Sequence, residues 1–382
     1  MIVYLDNSAT TKVRDEVLKE IIDTNVNYYG NPSSLHRMGL MVEKKIDEAR
    51  KSAAKLINAK EQEIYFTGGG TESNNIAIFG HLHNLNKHNN IITTKIEHPS
   101  VYNVFKQFED KCFVKYLDTD ENGKIDTSML DDMVDENTVL VSIMHANNEI
   151  GTVQDLNEIK NIVKNKNKNT KLHIDAIQSY GKIKIDVNKL SIDTLSFSSH
   201  KIHGPKGLGG LFVRSGLKIN PLTYGGGQER GMRSGTENTP GIIGFGKACE
   251  LIYDNFEEEA KKLYSLKNQY IKRLKQDIEE IVINSPVDGG APHIVSVSFK
   301  NVPGEVLLHY LEDKGIYVST GSACSSKSRD NRILEAIKLS GEYQAGTIRI
   351  SIGYFNNFDE IEYVIDNIKQ SVKGIRSITK RG

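Results

Sequence analysis

SFSSHKIHGPKGLGG, Ser196–Gly210, sets one lysine, Lys201, between two histidines, His200 and His203, with small polar residues before it and a glycine-rich turn after it. TLSFSS on one side and GLFV on the other read as strands, so Lys201 stands where a strand has just ended. The same rhythm extends outward. EIYFT, NIITTKI, CFVKYL, VLVSIMH and KLHIDAI read as strands, and helix-like segments such as ESNNIAIFGHLHNL and DLNEIKNIVKN lie between several of them. Strands alternating with helices predict an α/β fold, here a mostly parallel, seven-stranded sheet covered by helices, in a large unit spanning residues 13–255. A long charged helix over roughly 255–280 comes next. Strand IVSVSF, helix GEVLLHYLEDKG, strand IRISIG and helix FDEIEYVIDNIKQSV complete the chain. They predict a smaller α+β unit made of residues 256–382 together with the N-terminal residues 1–12.

The composition excludes several classes. The chain carries 49 basic and 49 acidic side chains in 382 residues, so no global field favours direct binding to nucleic acid or to an anionic membrane. No apolar run approaches the roughly 20 residues that span a bilayer. MIVYLDNSATTK lacks a basic n-region and a long apolar core, so no signal peptide is read and a cytoplasmic location is expected. Cys112, Cys249 and Cys324 are far apart and show no CxxC spacing, which argues against a disulfide framework, a zinc ribbon or any other metal site. DTDENGKID, Asp118–Asp126, imitates a calcium loop, but Met129 stands where the bidentate glutamate belongs, so a surface turn is expected. The lysine/asparagine run Lys164–Lys171 reads as a solvated loop. HLHNLNKH reads as a polar helix end.

A lysine amine is a nucleophile only when deprotonated, and one use of such a lysine is a Schiff base with pyridoxal phosphate. That cofactor makes three further demands. Its phosphate needs backbone N–H groups and hydroxyls, its pyridine nitrogen needs a carboxylate, and its phenolic oxygen needs a hydrogen-bond partner. FTGGGTES ends a strand and opens a helix, where amides bind phosphate, and Thr71 adds a hydroxyl. HIDAIQS ends another strand, so Asp175 and Gln178 emerge at the carboxyl edge of the sheet as pyridinium and phenolate partners. Ser198 and His200, beside Lys201, reach for phosphate oxygens.

Beyond these residues, the sequence resembles the cysteine desulfurases, pyridoxal-phosphate enzymes of fold type I and aminotransferase class V. The resemblance runs through YLDNSATT, YGNPSSLH, FTGGGTESNN, EHPSV, HANNEIGTVQD, HIDAIQSYGK, SFSSHKIHGPKGLGG, GGGQERGMRSGTEN, STGSACSS and RISIGYFN. The SACSS loop resembles the branch that supplies sulfur for iron–sulfur clusters, nitrogenase-associated members included. The resemblance implies Lys201 as the cofactor lysine and Asp175 and Gln178 as ring contacts, with Asn148 near the phenolic oxygen and the substrate carboxylate. Gly70, Thr71, Ser198 and His200 hold the phosphate. His98 stacks on the ring and assists proton transfer. Thr236 reaches the phosphate of a neighbouring subunit, which implies a homodimer. Arg349 clamps the carboxylate of L-cysteine, a task that suits a planar guanidinium. Ile177 and Ser199 stand where relatives often carry smaller residues.

Cys112 and Cys249 read as inert, partly buried hydrophobes. Cys324 lies among Gly321, Ser322, Ala323, Ser325 and Ser326, small residues that predict a mobile loop, and Lys327 and Arg329 favour its thiolate. The implied reaction takes sulfur from L-cysteine as a persulfide on Cys324, releases L-alanine, and passes the sulfur to an iron–sulfur scaffold or another acceptor protein. The residues by themselves leave open a different pyridoxal-phosphate enzyme on the same fold, such as an aminotransferase or a selenocysteine lyase, and a scaffold without catalysis.

Overall fold

The structure is a computed structural model that describes residues 1–320 and 331–379. The chain opens with β1 (Val3–Tyr4), α1 (Asp15–Asn27) and α2 (Arg37–Lys55). Four βα steps follow: β2 (Ile64–Thr67) with α3 (Gly70–His81), β3 (Asn90–Thr94) with α4 (Pro99–Lys106), β4 (Phe113–Leu117) with α5 (Thr127–Met133), and β5 (Thr138–Met144) with α6 (Leu156–Lys166). β6 (Lys171–Asp175), β7 (Thr194–Ser198) and β8 (Gly209–Val213) complete a seven-stranded sheet in the order β2-β8-β7-β6-β5-β3-β4. All seven sequence-predicted strands are in it. β8 alone runs antiparallel to its neighbours, β7 and β2. The connection from β7 to β8 is too short for the crossover a parallel return needs. β2 is therefore parallel to β7, and its carboxyl end opens on the same edge as those of β3, β5, β6 and β7.

Every residue of β3, β7 and β8 is buried, as expected of strands covered on both faces. Ile92 and Val141 belong to the core shared with α2 and α6, whereas their neighbours Ile91 and Leu140 face the core under α3 and α4. That alternation is the two-residue period of a strand.

α7 (Thr239–Asp277) is longer than the sequence suggests. It starts at Thr239, behind an Asn238 cap whose side chain accepts from Gly241 N. The expected start near residue 255 coincides with a break, since Asn255 leaves helical geometry at φ −120° and ψ 16°. Before the break Phe245, Ala248 and Ile252 pack in the large-sheet core. After it Leu266, Tyr270 and Leu274 pack in a second core.

That second core surrounds β9 (Ile281–Ile283), β10 (Ile294–Phe299) and β12 (Thr347–Ser351), an antiparallel sheet in the order β12-β10-β9. α8 (Gly304–Glu312), β11 (Ile316–Tyr317), α9 (Arg332–Ala336), α10 (Gly341–Gln344) and α11 (Asp359–Thr379) complete the chain. β1 pairs in parallel with β11, which puts Val3 and Leu5 into this core.

The lysine/asparagine run departs from expectation. Lys164 and Lys166 still belong to α6, and Lys164 Nζ reaches Asp193 Oδ2 at 2.8 Å. The segment 118–126 closes as a turn in which Asp120 Oδ1 accepts from Asn122 N and Lys124 N. Among the described residues no helix is long and apolar enough to cross a membrane.

Phe245 is fully buried among the rings of Phe66, Tyr180 and Phe197. Phe245→Ala is expected to cost about 3–5 kcal/mol, the cost of a large aromatic cavity. Urea unfolding of the cofactor-free protein measures it, and a loss below about 1 kcal/mol contradicts the packing described.

Candidate active site

The carboxyl edge of the large sheet opens into a cavity of about 370 Å³. Gly70, Thr71, His98, Asn148, Asp175, Gln178, Ser198, His200, Lys201 and Arg349 all line it. Two sequence-predicted residues are not among them. Thr236 is exposed on the segment preceding α7, and Cys324 lies outside the described residues, between Thr320 and Asn331.

Lys201 ends a short 3₁₀ turn directly after β7. Its Nζ donates to the main-chain carbonyls of Ser8 at 2.5 Å and Ala9 at 2.8 Å. The N-terminal segment thus lies over the end of β7, and Thr11 adds a hydrogen bond from N to the carbonyl of His200. His200 Nδ1 stands 3.2 Å from Thr10 Oγ1, and burial, with Lys201, Lys206 and Lys182 nearby, pushes its pKa down to about 4.

Asp175 ends β6 and is buried. Its Oδ1 accepts from Ile177 N and its Oδ2 from Asn74 Nδ2. Burial raises its pKa, while His98, these two donors and Lys201 pull the other way. Asn74 also donates to Ser100 Oγ at 2.9 Å, and Ser100 Oγ lies 2.8 Å from His98 Nδ1. A single amide therefore connects Asp175 to His98. Asn74 Oδ1 continues to His173, Thr194 and His81, so His81 closes a buried chain rather than a solvent-facing helix end.

His98 caps α4. Its Nδ1 accepts from Ser100 N at 3.1 Å, which leaves the ring proton on Nε2. Burial lowers its pKa against the attraction of Asp175, helped by Lys201 and Arg332.

The N-terminus of α3 forms the other wall. A Cβ on Gly70 would lie 2.3 Å from Ile177 Cδ1, so a larger residue here would have to push the Ile177 side chain aside. Ser198 Oγ is buried there with no hydrogen-bond partner among the described residues, and so is Asn148 Oδ1. Orphaned buried acceptors and donors call for a ligand or water.

On the far side Arg349 projects from β12. It donates from Nη1 to the Asn148 carbonyl and from Nη2 to Asp6 Oδ1, both at 2.8 Å. It is a buried strand arginine in an ion pair, at the cavity rather than at the surface.

Sequence reasoning missed Asn74, Ser8, Ala9, Arg332 and Glu97. Asn74, Glu97, Ser8 and Ala9 were in view, inside FTGGGTESNN, EHPSV and YLDNSATT. Glu97 is fully buried. Its Oε1 accepts from Thr94 Oγ1 at 2.7 Å and Met144 N at 2.9 Å. Burial, reinforced by Asp175, pushes its pKa up to about 8.

Together these residues suit pyridoxal phosphate. A helix N-terminus with Thr71, Ser198 and His200 suits the phosphate, Asp175 suits the pyridine nitrogen, and Asn148 and Gln178 suit the phenolic oxygen.

The fold and this lysine-bearing cavity define a class of α/β enzymes that are, in general, pyridoxal-phosphate dependent. Residues 3–364 match the family model for aminotransferase class-V. A cysteine desulfurase IscS from Clostridium botulinum is 42% identical over 382 residues, 99% of this chain and 96% of that protein. The solved structure of a NifS-like protein superposes with a TM-score of 0.92 at 40% identity, covering 98% of this chain and all of the other. A structure described as SspA in complex with cysteine superposes at 0.81 with 33% identity, covering 92% of this chain and 98% of that one. The chain belongs to the aminotransferase class-V family, and within it to the cysteine desulfurases.

Glu97 sets a pH signature. Its folded pKa lies above the ordinary 4.5, so between 4.5 and about 8 the folded protein holds a proton that the unfolded chain releases. The stability this group contributes is complete below 4.5 and is lost as pH rises through 8. Glu97→Gln keeps the acceptor and removes the titration. Its unfolding free energy relative to wild type is expected to rise between pH 5 and about pH 8 and to level off above it, by on the order of a few kcal/mol. A pH-independent difference in cofactor-free protein contradicts this.

Proposed function

We propose that this chain is a pyridoxal-phosphate-dependent cysteine desulfurase. It takes sulfur from L-cysteine, releases L-alanine, and carries the sulfur as a persulfide on Cys324 to an acceptor protein. The observation that carries the reading is the convergence of Lys201, Asp175, His98 and Arg349 on one cavity in a chain of this family.

When bound, pyridoxal phosphate supplies a ring that accepts electrons from the substrate Cα. The chain supplies the rest. Backbone amides at the start of α3, with Thr71, Ser198 and His200, hold the phosphate. Asp175 keeps a negative charge beside the pyridine nitrogen, and Gln178 and Asn148 face the phenolic oxygen. Lys201 would hold the aldehyde group through its amine, and that amine would move the proton at substrate Cα. Arg349 pairs with the substrate carboxylate through its planar fork. His98, neutral and protonated on Nε2, moves a proton near the ring. The Cys324 thiolate attacks the substrate sulfur, the Cβ–S bond breaks, and its electron pair stays on the carbon side.

The functional unit in this reading is a homodimer. Leu18, Ile22 and Val26 form an exposed stripe along α1, at 48%, 55% and 63% exposure, with Tyr29 beyond it. Such a stripe is costly in water and suits a second copy of the chain. Thr236 then serves the neighbouring subunit's phosphate. The buried free thiols of Cys112 and Cys249 suit a reducing cytoplasm. The acceptor in this reading is an iron–sulfur scaffold or another sulfur-accepting protein.

Mass spectrometry after addition of L-cysteine is expected to find one extra sulfur on the Cys324 peptide, and borohydride reduction to fix the cofactor on Lys201. Cys324→Ser is expected to abolish alanine release while leaving the visible absorbance of the bound cofactor intact. Undiminished alanine release from Cys324→Ser overturns the persulfide role of Cys324 and returns the chain to the lyase reading.

A further inference from the structure

His293 lies immediately before β10, inside the second core, with no exposed surface. Its carbonyl is fixed by Ile352 N at 2.8 Å. Its ring nevertheless reaches the large-sheet site, with Nε2 standing 3.1 Å from Gln178 Oε1.

The orientation of the Gln178 amide follows from its two partners. One end faces the Ser8 carbonyl at 3.0 Å, and a carbonyl only accepts, so that end is the Nε2 amide. The other end is then Oε1, which needs a donor. A neutral imidazole donates from one nitrogen only, so the His293 proton sits on Nε2. Burial and four cations, Lys182, Lys267, Arg349 and Lys201, keep this ring uncharged. Nδ1, without a hydrogen-bond partner among the described residues, is left as a bare lone pair.

We infer that His293 is a positioning residue for the cofactor. Through its Nε2–H it holds Gln178 by the carbonyl end, so that an N–H and never an oxygen faces the phenolic oxygen of the bound group. The inference rests on the pyridoxal-phosphate reading of the site. It adds that a residue of the second core, touching neither cofactor nor substrate, sets the polarity of one ring contact. A reversed amide would put Oε1 against both the Ser8 carbonyl and the phenolic oxygen, two acceptors with no proton between them.

The test uses the full-length protein freed of cofactor and reloaded with pyridoxal phosphate. The readouts are the concentration that half-restores the visible absorbance and the pH midpoint of that absorbance. His293→Phe removes the donor. It is expected to raise half-saturation about tenfold, the worth of one buried hydrogen bond, and to move the midpoint upward as the phenolic oxygen becomes more basic. His293→Gln restores a donor and is expected to stay near wild type. In a Gln178→Ala background His293→Phe is expected to add nothing. His293→Leu repeats the donor-less arm should the phenylalanine variant fail to fold.

Wild-type values in the donor-less variants overturn the proposal. So does an equal shift in His293→Gln, or a full shift in the Gln178→Ala background. Wild-type protein that takes up no pyridoxal phosphate overturns the cofactor reading and this proposal with it. Normal uptake by wild type with an unchanged His293→Phe overturns this proposal alone.

Discussion

The amine of Lys201 is held by two carbonyls that belong to the far end of the chain, those of Ser8 and Ala9. The rest of the site depends on that strap. To put these carbonyls there, residues 6–11 must leave the second core, where Val3 and Leu5 are buried, and cross the carboxyl edge of the large sheet. Asn7 anchors the crossing by donating to the Ser351 carbonyl on β12, and Thr11 anchors it on His200. Gln178 holds the same carbonyl of Ser8 from below. A short polar segment thus fixes the height of the lysine, the roof of the cavity and the docking of the two cores.

Charge in the cavity is disposed by burial rather than by distance. Asp175 and Glu97 are both buried carboxyls at the ends of nearby strands, and both are pushed toward the neutral form. What separates them is their company. Asp175 has His98, Lys201 and two N–H donors to favour its charge. Glu97 has two donors and Arg332 in its favour as well, but Asp175 stands against it, it is fully buried, and one of its oxygens has no partner among the described residues. Two carboxyls whose surroundings push them apart divide the work between a charged and a neutral form.

Much of this was legible in the sequence, because strands ending in small or polar residues leave a strong local signature. All seven strands of the large sheet were found from β-branched runs, and the residues at their ends were placed on the correct edge. Glu97, Asn74 and His293 were missed for a common reason. Each acts through a partner remote in sequence, and no periodicity encodes that. GFGKACELIYD reads as helical in the sequence, but the start at Thr239 and the continuity with the charged helix do not show there, because GIIGFG, rich in glycine, has little helix propensity of its own. Its helix is stabilised by burial against α1 and α2, and Ala49 beside Gly246 shows how closely the chains approach there. The lysine/asparagine run misled for the opposite reason. Its composition reads as loop, but Lys164 finds Asp193 and lets α6 continue.

The cavity is built at a seam. Lys201, Asp175 and His98 stand on the large sheet, whereas Arg349 comes from β12 and the Gln178 donor precedes β10. The two cores are joined by α7, which changes direction at Asn255, and by the strap over Lys201. Neither core alone holds a complete site: the large sheet lacks the guanidinium, and the small sheet lacks the lysine. Geometry in the cavity is therefore a property of the docking, and it rests on hydrogen bonds that cross the seam. Arg349 to Asn148 and His293 to Gln178 are such bonds, and both are buried or partly buried. In a low-dielectric seam a lost partner leaves a polar group that no water rescues, so the seam resists half-formed arrangements. That is the physical reason a site drawn from both ends of a 382-residue chain is held in one geometry.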